Sequence, residues 1–130
     1  MMNIIADTNI FLAVILDEPE KDKIIQLTSN ANAISPDVLP YEVGNALSAM
    51  VKRKRLSASD AIAAFEGVRS IPVRLVSVDV QKALKIALEH HIYAYDAYFL
   101  QCAKQLSYPL ITLDKKMKQV AYNLNIEVLE

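Results

Sequence analysis

The sequence predicts a single α/β domain with a mostly parallel central sheet of about four to five short strands flanked by helices. Three observations predict it. Short apolar segments alternate with longer stretches of helical periodicity, the pattern of strands joined by covering helices. The chain has 130 residues, the usual length of one domain, and no repeat or Gly/Ser-rich linker divides it. Residues 1–130 are therefore read as one unit. Hydrophobic residues make up 53% and charged residues 22%, a composition that fills a core without disulfide or metal staples.

The elements follow in order. Asn3–Ala6 reads as a short buried strand, ended by the polar Asp7-Thr8-Asn9. Ile10–Leu16 reads as a short helix that stops near Pro19, and Glu20–Ser29 as another. Ala33–Ser35 is a weak strand. Asp37–Arg55 reads as a long helix, with Pro40 tolerated in its first turn. Ser57-Ala58-Ser59-Asp60 resembles a capping box, with Ala61, Ile62, Phe65 and Val68 at helical spacing behind it. Val73–Val76 is a β-branched strand. Val80, Ala83, Leu84, Ala87 and Leu88 form one helical stripe, and Asp96–Leu106 a further helix. Leu110–Thr112 is a short strand, Lys115–Asn123 a helix, and Ile126–Leu129 a last strand.

Composition removes several functions. Gly44 and Gly67 are the only glycines, so neither a G-x-G-x-x-G turn nor a G-x-x-x-x-G-K loop can be built. One cysteine, Cys102, allows no intrachain disulfide and no four-Cys zinc site. Its place on a helical stripe suits core packing. The adjacent His90 and His91 point in different directions on a helix and suit its carboxyl end better than a zinc site. The longest purely apolar run, Ile10–Leu16, is too short to span a bilayer. The expectation is a cytoplasmic protein without a membrane anchor. The formal charge of −1 hides an asymmetry. Residues 1–50 hold 2 basic and 7 acidic residues, and residues 51–130 hold 12 and 8.

Four acids stand out. In parallel sheets ligands gather at the carboxyl ends of strands, and Asp7 and Asp114 each follow a strand. Glu42 interrupts the inward stripe Leu39, Val43, Ala46/Leu47, Met50. Asp96 heads the stripe Phe99, Cys102/Ala103, Leu106. Burying a lone carboxylate costs several kcal/mol or neutralises it. Neither Glu42 nor Asp96 has an obvious Lys or Arg one helical turn on, which leaves a metal ion as a natural partner. Each acid also has a plainer reading. Asp7 and Asp114 suit helix N-caps, Asp96 suits the positive end of its helix, and Glu42 could reach water at the stripe edge. A cap can also be a ligand. An all-oxygen set selects Mg²⁺ or Mn²⁺. Tyr93, Tyr95 and Tyr98 are compatible with base stacking or with packing and interface roles.

These residues carry a family resemblance. Asp7-Thr8-Asn9 is followed by Asp17-Glu18-Pro19-Glu20, then by Pro40-Tyr41-Glu42-Val43-Gly44-Asn45-Ala46-Leu47 with a basic tail ending Arg55-Leu56-Ser57. Tyr95-Asp96-Ala97-Tyr98-Phe99-Leu100-Gln101-Cys102-Ala103 and Leu110-Ile111-Thr112-Leu113-Asp114 complete the order. The chain resembles PIN-domain proteins, and particularly the VapC-type ribonuclease toxins of prokaryotic toxin–antitoxin pairs. The resemblance covers essentially the whole chain. It implies Mg²⁺- or Mn²⁺-dependent hydrolysis of RNA phosphodiester bonds with one or two ions, leaving a 5′-phosphate and a 3′-hydroxyl. It makes Asp7, Glu42, Asp96 and Asp114 the metal-binding and catalytic acids, with Asn9 and Thr112 as supporting polar residues. It also implies a homodimer and a small antitoxin partner. One position departs from the pattern: many relatives carry a further acid two residues after Asp114, often followed by an aromatic, where this chain has Lys116 and Met117.

Lys52-Arg53-Lys54-Arg55 is the one dense basic run. It reads as a solvated helix end or as a rim that tracks RNA phosphates, with Lys115, Lys116 and Lys118 near Asp114 as a second patch. Two other functions remain compatible with the sequence. One is a non-catalytic PIN-like module that binds RNA or a partner protein. The other is a phosphatase with Asp7 as nucleophile, although Asn9 stands where a D-x-D motif would place its second acid.

Overall fold

The computed structural model describes all residues, Met1–Glu130. Its elements are β1 (Met2–Ala6), α1 (Thr8–Ile15), α2 (Lys21–Thr28), β2 (Ala31–Pro36), α3 (Leu39–Lys52), α4 (Ala58–Arg69), β3 (Val73–Val76), α5 (Val80–His90), α6 (Ala94–Leu106), β4 (Leu110–Ile111) and α7 (Lys115–Asn123). The four strands form one parallel sheet in the order β3-β2-β1-β4. Every strand is separated from the next by helix, as parallel pairing requires.

β1 lies inside the sheet and reads as a continuous apolar run, because covering helices leave it no wet face. Ile5 pairs with Ile34 of β2 and with Leu110 of β4, and all three are buried. The buried Ser35 donates its hydroxyl to the carbonyl of Ala6 at 2.7 Å, fixing the end of β1 against β2. Helices α1 to α4 pack on one another, while α6 lies on β1 and β2 and carries α5 and α7 against it. Gly67 lets α4 approach α1: a Cβ there would stand 3.2 Å from Ile15. All carboxyl ends of the strands point the same way, so the β1–α1, β2–α3 and β4–α7 junctions meet at one end of the sheet.

Helices in this glycine-poor chain stop on non-glycine residues. Asp17, Lys54, His91, Ser107 and Asn125 take left-handed φ values between 56° and 59° and terminate α1, α3, α5, α6 and α7. Each costs about 1 kcal/mol relative to glycine.

Several boundaries differ from the sequence reading. α3 ends at Lys52 rather than Arg55 because Lys54 turns left-handed and the Arg55 amide bonds back to Met50 O at 2.9 Å. Only Lys52 of the basic run is helical. β2 spans Ala31–Pro36 rather than Ala33–Ser35, being paired on both edges. α1 starts two residues early, at Thr8, because Asp7 caps it. Residues 126–129 form no strand, only one parallel bridge between Val128 and Leu110. With β4 only two residues long, the ladder has room for nothing more. The α5 stripe divides: Ala83 and Ala87 are buried, whereas Val80, Leu84 and Leu88 face outward. Ile62 of α4 is likewise exposed.

Candidate functional site

Asp7 ends β1 and caps α1. It is 5% exposed. Oδ1 accepts the amide of Ile10 at 3.3 Å and Oδ2 accepts the hydroxyl of Thr112 at 2.5 Å. Thr112 follows β4 and accepts the Asp114 amide at 3.1 Å on the same oxygen. That hydroxyl therefore ties the ends of β1 and β4 together across 105 residues. Asp114 caps α7, with Oδ1 accepting the amides of Lys116 at 2.8 Å and Met117 at 3.1 Å. Glu42 lies in the first turn of α3, and its Oε2 accepts the Thr8 hydroxyl at 2.7 Å. Asp96 lies in the first turn of α6. Both cap readings hold, and neither keeps its acid away from the other acids.

A polar concavity of about 140 Å³ is lined by Asp7, Thr8, Asn9, Glu42, Asn45, Ala46, Asp96 and Phe99. Three of the four acids and Asn9 thus share one pocket. Asp114 opens instead onto the adjoining concavity, where Asn9 is again a neighbour. Thr112 supports the pocket from beneath through Asp7. A far larger concavity, about 1040 Å³, carries no acid and lies mostly around the amino ends of the strands, so size does not locate the chemistry.

Electrostatics single out the same residues. Burial pushes the Asp7 carboxyl up to about 6; the Thr112 and Ile10 hydrogen bonds oppose this, and the charges of Asp96 and Asp114 reinforce it. Asp96 is also raised to about 6, first by burial and then by Asp114 and Glu42. The ion pairs of the fold are Lys21–Asp17, Arg69–Glu66 and Lys118–Glu130, and none reaches these acids. Four neighbouring carboxylates therefore have no ion-pair partner in the fold.

The donor set suits a hard cation: it is all oxygen, negative and partly desolvated. As they stand, no three His, Cys, Asp or Glu side chains are grouped closely enough to hold a metal ion between them. Mg²⁺ needs no such grouping, because it commonly takes one or two carboxylates directly and reaches others through water. The residues therefore fit the ion. Cys102 is no competing nucleophile, since it is buried and its thiol is pushed up to about 12 by burial.

Lys52, Arg53, Lys54, Arg55, Lys115 and Lys116 are all exposed and enter no ion pair. Met117 is core, with its sulfur 3.8 Å from the Thr112 hydroxyl. Two polar pocket residues escaped the sequence reading, which takes the apolar Ala46 and Phe99 only as core. Asn45 sits three residues after Glu42, and that helical spacing could have revealed it. Thr8 meets Glu42 across 34 residues, and no local spacing signals such a contact.

The PIN domain family model matches residues 4–123. The chain belongs to the PIN-domain family. This PIN domain is 24% identical over 123 residues to Ribonuclease VapC3 of Pyrobaculum aerophilum, covering 91% of this chain and 94% of the relative. Its fold matches VapBC2 from Rickettsia felis, solved with a DNA fragment from its promoter, at a TM-score of 0.66 and 16% identity. That match covers 98% of this chain and 97% of the other. It also matches a toxin–antitoxin complex from Klebsiella pneumoniae at a TM-score of 0.59 and 16% identity, covering 87% and 88%. No helix is long and apolar enough to cross a membrane.

Proposed function

We propose that this PIN domain is a divalent-metal-dependent endoribonuclease, the toxin of a toxin–antitoxin pair. One observation carries the reading: four carboxylates gather at the carboxyl end of a parallel sheet, two with raised pKa, and none has an ion-pair partner in the fold. The name of the Pyrobaculum relative supports RNA as the substrate. The Klebsiella complex supports a small antitoxin as partner, and a homodimer completes the proposal.

Asp7 and Asp96 are the main ligands, and Glu42 and Asp114 complete the set directly or through water. Bound Mg²⁺ or Mn²⁺ would supply positive charge to the phosphate and leaving oxygen and lower the pKa of a water. Thr112 holds Asp7 Oδ2 in place, and Thr8 turns Glu42 towards the pocket. Asn9 and Asn45 add neutral polar groups to its wall. Lys116, beside Asp114, adds positive charge and favours one ion over two. The exposed cations at 52–55 and at 115–116 track the phosphate backbone on either side.

The test maps cleavage sites on total RNA with Mg²⁺, with EDTA, and with Asp96→Asn. Cuts that need both Mg²⁺ and Asp96, each with a 5′-phosphate end, are expected. Cleavage that persists in the variant or in EDTA refutes the proposal.

A further inference from the structure

The proposed chemistry leaves three large side chains unused. Tyr41 is 77% exposed, Tyr93 83% and Tyr95 53%. Packing inside the chain therefore does not hold them. Exposed phenol rings forgo the gain that burial gives an aromatic. Three rings beside one site call for a partner.

Their positions follow the acids. Tyr41 immediately precedes Glu42 and lies one helical turn before Asn45, so it shares a helix face with a pocket residue. Tyr95 lies one helical turn before Phe99, which lines the pocket. Tyr93 is the N-cap residue of α6, three before Asp96. Each tyrosine thus lies one helical turn from a residue of the pocket wall, on α3 or α6, and outside the wall itself. Tyr95 is braced: its ring meets half-buried Tyr98 edge-on, with centroids 6.0 Å apart and planes at 84°.

We propose that Tyr41, Tyr93 and Tyr95 form a nucleobase-binding rim, on which unpaired RNA bases next to the scissile phosphate stack. This rests on reading the pocket as a ribonuclease centre. Carboxylates and their ion address phosphate, which is the same at every nucleotide. Aromatic faces address bases, and only bases that are unstacked from a duplex can reach them. Charge supports nucleic acid over a protein partner. A protein interface core is depleted of lysine, whereas unpaired Lys115 and Lys116 are exposed beside Asp114.

The test measures binding of a short fluorescein-labelled single-stranded RNA, its abasic counterpart and its duplex to the full chain carrying Asp7→Asn. The chain has six tyrosines and no tryptophan, so quenching of its intrinsic emission reports stacking directly. Tyr41→Ala, Tyr93→Ala and Tyr95→Ala are each expected to weaken single-strand binding roughly 5- to 100-fold. The corresponding Phe variants should retain it, and the abasic probe should bind weakly and ignore the rings. Equal binding by the Ala variants, equal binding of the abasic probe, or no RNA binding at all overturns the proposal. Loss of a dimer in sedimentation with unchanged RNA affinity overturns it too, by assigning the rings to a protein contact. Cleavage by the wild-type chain is scored separately. Cleavage with ring-independent binding refutes the rim alone, and ring-dependent binding without cleavage refutes the ribonuclease reading alone.

Discussion

Replacing Asp7 with Asn should stabilise the metal-free protein at neutral pH while abolishing RNA cleavage. Asp7 is 5% exposed and titrates near 6 instead of 3.8, chiefly because burial penalises its charge. Between those pH values the folded chain holds a proton that the unfolded chain has released. Stability therefore falls as pH rises through that window, and the whole penalty stands above it. The shift corresponds to about 3 kcal/mol at pH 7.5 and about half of that at pH 5. For a chain of this size about 4 °C of melting temperature accompanies each kcal/mol, so Asp7→Asn should gain up to about 10 °C at pH 7.5. The gain should shrink towards half at pH 5. Asn keeps one oxygen to cap α1 but loses the second acceptor, now bonded by Thr112, which offsets part of the gain at both pH values alike; a residue that only capped α1 would yield no pH-dependent gain. Thermal melts followed by circular dichroism in EDTA, at both pH values, decide the matter. Added Mg²⁺ should then raise the wild-type melt, by about 2.7 kcal/mol at one hundred times its dissociation constant, and leave the variant nearly unmoved. A variant that melts at or below wild type at both pH values refutes the claim that Asp7 is held at an electrostatic cost.

Other outcomes follow from the same structure. Thr112→Val removes the partner of both Asp7 Oδ2 and the Asp114 amide, and should cost about 2 kcal/mol in urea unfolding. Ser107→Gly, at a left-handed exposed position, should gain about 1 kcal/mol, and Gly44→Ala, in open space on α3, about 0.5–1 kcal/mol; the same substitution at Gly67, 3.2 Å from Ile15, should gain less or lose stability. Neutralising residues 52–55 should weaken RNA binding and flatten its dependence on salt, and an unchanged slope would return the run to a solvated turn. Cys102, buried with a raised pKa, should react with iodoacetamide only as fast as the chain unfolds.

Elements with strong periodicity or clean stop signals were legible before any coordinates. β3 matched to the residue, as did α7 behind its Asp114 cap. Long-range partners were not legible. β2 looks weak in isolation because Ala31 and Asn32 have little strand propensity, and pairing on both edges overrides that. The α5 stripe misled because hydrophobicity alone does not say which residues the neighbour can accommodate. The face of α5 that is buried carries Ala83, Ile86 and Ala87, and it turns Val80, Leu84 and Leu88 outward. The acids were found because each broke a local rule, at a strand end or on an apolar stripe. Their convergence, and the Thr8–Glu42 and Thr112–Asp7 bonds, depend on strand order, which no single segment encodes.

The Thr112–Asp7 bond also sets an order of assembly. β4 is the last strand of the sheet to be synthesised, and it lies beside β1, the first. Until it docks, Asp7 lacks its anchoring hydroxyl and the cluster lacks Asp114. A chain that stops before residue 110 lacks β4, Thr112 and Asp114, and so has no complete site. Under the function proposed above, the site is therefore completed only by the last part of the chain to be made.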